Sequence, residues 1–151
     1  MRTIAWATVL AAALATASPV LAADASAVEG QMDSVLGTHE GFHAFFDALQ
    51  KASAADDRAA IAKMVSYPLE TELGGKKVTL KTEAEFTTAY DKLFTAEVKQ
   101  QIAEQKYEDL FVNYQGVMIG GGAIWMGAQC ADNDCKTFKP VKIIAINHPG
   151  G

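Results

Sequence analysis

Apolar residues recur at helical spacing through the first half of the mature-length chain. Val28, Met32, Val35 and Leu36 make one stripe, which predicts a helix over 25–36 that Gly37 interrupts. Thr38 is placed to cap a second helix whose apolar face is Phe42, Phe45, Phe46 and Leu49 and which fades at Ser53-Ala54-Ala55. Asp56 restarts a third, with Ala59, Ala60, Ile61, Met64 and Val65 as its buried side, ending at Pro68 because proline cannot continue the backbone hydrogen bonding.

The period then changes to two. Leu69 to Leu73 and Lys76 to Lys81 alternate on either side of Gly74-Gly75, the pattern of a two-residue hairpin. Thr82 with Glu85 three residues on is a capping box for a helix through Phe86, Tyr90, Leu93 and Phe94, and Thr95 caps a shorter one with Val98 and Ile102. Three strand-like runs follow: Leu110 to Tyr114 continuing through Val117 to Ile119, then Ala123 to Ala128, then Phe138 to Ile146. Glycines 120–122 turn the first into the second, and the Cys130–Cys135 loop joins the second to the third. Helices, hairpin, helices and a closing antiparallel meander predict an α+β domain with helices on one face of a curved sheet.

This layout resembles the cone-shaped fold shared by ketosteroid isomerase, the SnoaL-like proteins and nuclear transport factors. The phrases Val65-Ser66-Tyr67-Pro68-Leu69, Tyr107-Glu108-Asp109-Leu110-Phe111-Val112-Asn113 and Gly116-Val117-Met118 are similar to those of small exported bacterial proteins of unassigned role. The first resemblance implies a sheet wrapped around a cavity, in which a few polar groups would meet a small apolar ligand. Tyr67, Tyr90, Asn113, Tyr114 and Trp125 are the candidate ligand-binding residues, each of which can equally fill a core with one hydrogen bond satisfied. An isomerase in such a cavity needs a carboxylate base of raised pKa opposite a hydrogen-bond donor. The strands after Asp109 are nearly free of acids, which favours a non-catalytic binding or interaction module, with a small isomerase-like enzyme as the alternative.

Ahead of the first helix, Met1-Arg2-Thr3 carries one positive charge, Ile4 to Ala15 is apolar, and Ser18-Pro19 breaks the run. That is the layout of a secretory signal peptide with cleavage after Ala22, so residues 1–22 are expected to be removed and residues 23–151 to form one domain in the periplasm or outside the cell. The run is shorter than the roughly 20 residues that span a hydrocarbon core, and no later stretch is long and apolar enough, so no membrane span is expected. About 130 residues remain, enough for one hydrophobic core. Without Arg2 the chain has twelve basic residues against eighteen acidic ones. With no Lys/Arg cluster, nucleic acid is not an expected partner.

Two motifs carry possible chemistry. His39-Glu40-Gly41-Phe42-His43 matches H-E-x-x-H, in which two histidines one helical turn apart bind zinc and the glutamate activates water. Against a zinc hydrolase, the only other histidine, His148, sits in a Pro-Gly-Gly tail, and Gly37 and Gly41 break the rigid helix such ligands require. No metal and no cofactor are therefore expected. Cys130 and Cys135, an even pair in an exported chain, are expected to form a disulfide, contributing roughly 2 kcal/mol on the chain-entropy account. The run Ile143 to Ile146, with the neighbours Phe111 and Val112, implies apolar residues on both faces of the sheet. Either a homodimer formed sheet to sheet or a strongly curled sheet would cover both, and another envelope protein is a further candidate partner.

Overall fold

A computed structural model describes residues 21–147. The chain forms α1 (Leu21–Leu36), α2 (Phe42–Ala54), α3 (Arg58–Met64), β1 (Leu69–Leu73), β2 (Lys76–Leu80), α4 (Glu83–Leu93), α5 (Ala96–Glu104) and a 3-10 turn at Tyr107–Asp109. Then come β3 (Phe111–Asn113), β4 (Gly116–Ile119), β5 (Ile124–Gly127) and β6 (Lys142–Ile146). The protein is α+β, with a two-stranded antiparallel sheet, β1-β2, and a four-stranded antiparallel sheet in the order β3-β4-β5-β6. The expected leader over 1–22 falls outside the described residues apart from its last two positions, and His148 also lies outside them.

Local chemistry accounts for most element ends. Thr82 Oγ1 accepts from Glu85 N at 3.2 Å, while Glu85 Oε2 reaches back to Lys81 N at 2.6 Å, one residue before the cap. Thr95 Oγ1 accepts from Val98 N at 3.3 Å. Gly74 and Gly75 have φ of 58° and 76°, the two left-handed residues of the hairpin turn, and Leu73 pairs with Lys76. Two caps differ from expectation. Thr38 does not cap α2; its hydroxyl accepts from Glu40 N, and the helix starts from Gly41, whose φ of 82° no side chain favours. The cap of α3 is Asp57, which accepts from Ala60 N at 2.9 Å, with Asp56 just before it at φ 52°.

The buried residues form one connected cluster from Val28 to Ile146. On α1 the stripe is Val28, Met32 and Leu36, spaced by four, which leaves Val35 on the flank and exposed. On α3, Ile61 and Ala62 are buried and Ala59 points away to solvent. Phe86, Tyr90 and Phe94 make an aromatic group at the centre, with Phe86 edge-on to both partners at 6.1 Å and Tyr90 stacked on Phe94 at 5.1 Å.

The closing meander has four strands where three runs were expected. Asn113 Oδ1 accepts from Gln115 N at 2.8 Å and turns the chain at Tyr114-Gln115, so the first run is two strands, β3 and β4. The last run is shorter than the sequence suggested. Phe138 makes only an isolated bridge to Cys130, and Pro140 has no N–H to offer, so β6 begins at Lys142. Between them the Cys130–Cys135 disulfide closes the hairpin tip, where Asp132 accepts from the backbone of Asp134, Lys136 and Thr137.

The register slips between Trp125 and Met126: Trp125 faces Ala145 while Met126 faces Ile143. Ile144 is the extra residue of this bulge, and both Ile144 and Ala145 turn to the side away from the helices, leaving Ile143 and Ile146 buried. The free edge of β6 is met by the segment after α3. Val65 bridges Ile143 in parallel, Ser66 N donates to Ile143 O at 2.8 Å, and the buried Thr71 hydroxyl donates to Ile146 O at 2.8 Å.

Candidate functional site

The five residues proposed from sequence do not line a common cavity. Tyr90 is fully buried in the aromatic group, with the Arg58 guanidinium 4.8 Å and the Lys99 amine 5.2 Å from its ring centre. Burial holds its hydroxyl well above the ordinary phenol range, and that hydroxyl faces Asp56 without a partner in hydrogen-bonding geometry. Tyr67 donates to Ala62 O at 2.9 Å, and burial pushes its pKa up to about 12. Asn113 is occupied in its turn, and Tyr114 stands 83% exposed at the tip. Trp125 lies on the outer side of the sheet, as does Asn113, which shares a face of β3 with Phe111.

The carboxylate nearest Tyr90 has the wrong electrostatics for a general base. Lys99 Nζ lies 2.5 Å from Asp56 Oδ1, and Arg58 adds a second cation at 3.6 Å. The hydrogen bond from Lys99, with further help from Arg58, holds Asp56 below the usual carboxylate range, whereas proton abstraction near neutrality asks for the opposite shift.

The H-E-x-x-H residues are split between a turn and a helix. His39 and Glu40 precede α2, and His43 falls in its first turn. Each histidine faces a different carboxylate on α1: His39 Nδ1 lies 2.8 Å from Asp33 Oδ1, and His43 Nδ1 lies 3.8 Å from Glu29. His43 also stacks flat on Tyr107 at 3.9 Å. Among the described residues no group of three or more His, Cys, Asp or Glu is placed to hold a metal ion. The two histidines instead tie the start of α2 to α1.

That tie has a pH dependence. The hydrogen bond to Asp33 outweighs desolvation and raises the His39 pKa above 6.5. A folded pKa above the unfolded one means that the stabilisation is complete below pH 6.5 and is lost as pH rises through the folded value. Asp33→Asn is expected to bring the His39 imidazole titration back toward 6.5 when followed by NMR. It should also shrink the difference in melting temperature between about pH 5 and pH 8.

The meander's outer face is where exposed apolar residues gather. Its registers pair Phe111 with Met118, Met118 with Trp125, and Trp125 with Ala145, so one apolar row crosses all four strands. Phe111 is 51% exposed, and Met118, Trp125, Ile144 and Ala145 are partly so. Antiparallel sheets with one face in water ordinarily alternate apolar-in and polar-out. Here none of the chain's eighteen acidic residues lies in β3 to β6, and Lys142 is their one charged residue, its amine donating to Lys63 O at 2.5 Å.

Three shallow hollows run side by side along β6. The middle one is bordered by Gln115, Trp125, Ile144, Ala145 and Asn147. It shares Ile144 with a hollow that reaches Ser66 and Lys139, and Asn147 with one that reaches Glu70 and Glu72, with Lys77 beside Glu72. The surface therefore has an apolar middle, a basic end and an acidic end. None of the residues that line the middle hollow is titratable.

Sequence reasoning used Phe111 and the Ile143 to Ile146 run to infer an apolar outer face and named Trp125 separately, but it missed Met118 and the joining of these residues into one row, because cross-strand register and the bulge that doubles the outward residues are not written in local periodicity. Comparison with known proteins gives no match to a family model, to a curated protein or to a solved structure.

Proposed function

We propose that the protein is an exported, non-catalytic interaction module of the cell envelope that works through the outer face of its four-stranded sheet. The observation that carries this reading is the Phe111-Met118-Trp125-Ala145 row, exposed at Phe111 and partly exposed on the other three strands. An uninterrupted apolar face rimmed by polar residues marks an association surface. Such an open face fits a protein partner better than a small apolar ligand, which would need enclosure. Export is supported by the Cys130–Cys135 disulfide, since such bonds persist in oxidising compartments. The proposal includes a cone-shaped relationship to the ketosteroid-isomerase-like and SnoaL-like proteins. Its support is the sequence of helices, hairpin, helices and meander, together with the bulge that bends β6.

Photo-crosslinking in the producing cell tests the face. A benzoyl-phenylalanine at position 111 should capture protein adducts, whereas the same probe at the exposed Glu97 on α5 should not. Ala145→Glu, which puts a charge in the middle of the face, should cut the position-111 yield by about tenfold, the equivalent of ~1.4 kcal/mol. Equal capture from positions 111 and 97, or none from 111, would sink the reading.

A further inference from the structure

We propose that the occupant of the outer face is a second copy of this chain, turned by a twofold axis that lies in the plane of the sheet and perpendicular to its strands, so that Lys139 of each copy meets Glu70 of the other. The inference rests on the interaction-face reading above and names its partner.

Charge decides which partner fits. The chain is acidic overall, eighteen Asp and Glu against thirteen Lys and Arg, so two copies repel when they approach by most surfaces. The outer face removes that obstacle, because β3 to β6 contain no carboxylate and the amine of Lys142 is turned to Lys63 O. The two ends of the hollows carry opposite charge that the chain does not neutralise itself. Lys139 and Glu70 are exposed, and neither has an ion pair among the described residues. Glu72 differs: Lys77 sits opposite it in the hairpin register, while Glu70 sits opposite the uncharged Thr79.

The ends are also separated along the strand direction. The segment 65–71 runs parallel to β6, with Ser66 at Ile143 and Thr71 at Ile146, so Lys139 precedes β6 and Glu70 flanks its far end. A face with a neutral middle and opposite ends is complementary to itself after half a turn, and a twofold satisfies both ends at once. A uniformly basic partner would clash with Lys139, and a uniformly acidic one with Glu70. The apolar middle, to which the bulge adds Ile144 beside Ala145, would be buried between the copies.

The test is a charge reversal and its rescue, read by analytical ultracentrifugation of the purified protein over a dilution series at low salt. The wild type should be a dimer. Lys139→Glu and Glu70→Lys should each raise the dimer dissociation constant by about tenfold, since each replaces two attractive contacts with repulsive ones. The double variant, with both charges exchanged, should return to within about threefold of the wild type, because the twofold restores opposite pairs. A wild type that stays monomeric, a dimer indifferent to either reversal, or a double variant no better than the singles would each overturn the proposal. Adduct masses from the position-111 probe separate the two readings. Adducts with other proteins and a monomeric wild type would remove the self-association and keep the interaction face; no adduct and no dimer would remove both.

Discussion

Truncating Tyr90 to alanine should cost about 3–5 kcal/mol, the range for deleting a large aromatic from a core, whereas Tyr90→Phe should change stability by no more than about 1 kcal/mol. The ring is fully buried between Phe86 and Phe94, with Arg58 and Lys99 over it, so alanine would open a cavity and remove the surface on which those two ion-paired side chains rest. The hydroxyl, by contrast, has no hydrogen-bond partner, so phenylalanine gives up little and relieves a buried polar atom. Denaturant melts of the two variants measure both numbers. The pair also separates a packing role from a chemical one. If Tyr90→Phe proved as damaging as Tyr90→Ala, the hydroxyl would have to be making an interaction that these contacts do not contain, and Asp56 would be the place to seek it.

Gly116→Val should be the most damaging substitution on the sheet, on the order of 3 kcal/mol or more, combining backbone strain with overpacking. Gly116 has φ of +143°, which a β-branched residue strongly resists, and a Cβ there would run into the carbonyl oxygen of Met126 and come within 3.2 Å of Ile144 Cδ1. A backbone carbonyl in a sheet cannot step aside. Gly127→Ala provides the graded comparison: its Cβ would lie 2.8 Å from the same Ile144 methyl, a side-chain tip that can rotate away. We expect a cost near 1 kcal/mol there, at the low end for overpacking. Thermal unfolding of both variants would check the order, and a Gly116→Val protein as stable as Gly127→Ala would mean that the chain passes between β3 and β4 differently. Both glycines lie under Ile144, so either change would also push that side chain further out from the sheet.

What was legible in the sequence follows from how local each signal is. The capping residues Thr82 and Thr95 and the Gly74-Gly75 hairpin turn act within four residues of themselves, and they were readable. Cys130 and Cys135 are similarly close, and their bond forms. The α2 start was misread because a glycine with left-handed backbone can open a helix without a side-chain cap, leaving Thr38 to a smaller turn. The division of β3 from β4 hung on one Asn113 carboxamide inside what reads as continuous strand. The candidate site suffered most. Tyr67, Tyr90, Asn113, Tyr114 and Trp125 were chosen as aromatic and polar residues that a curved sheet could gather, yet which side of the sheet each one takes depends on register across strands. A one-residue bulge at Ile144 is enough to change that parity, and nothing in neighbouring residues announces it.

The seam along β6 bears on how the chain is made. Thr71 and Ile146 are joined across 75 positions of sequence, Lys63 and Lys142 across 79, and β6 is hydrogen-bonded to β5 on its other side. Synthesis delivers β6 after every other described element. Until it emerges, the β1–β2 hairpin lacks the Ile146 anchor for Thr71, and Ile143 is missing from the core beside Val65. Contacts of such long range are costly to close early, so a nascent chain of this topology stays open until nearly all of it has been translated. A polypeptide threaded through a translocation channel must remain unfolded for the same interval. Under the export proposed above, the late strand would act as a timer, holding back closure until the whole domain had crossed the membrane.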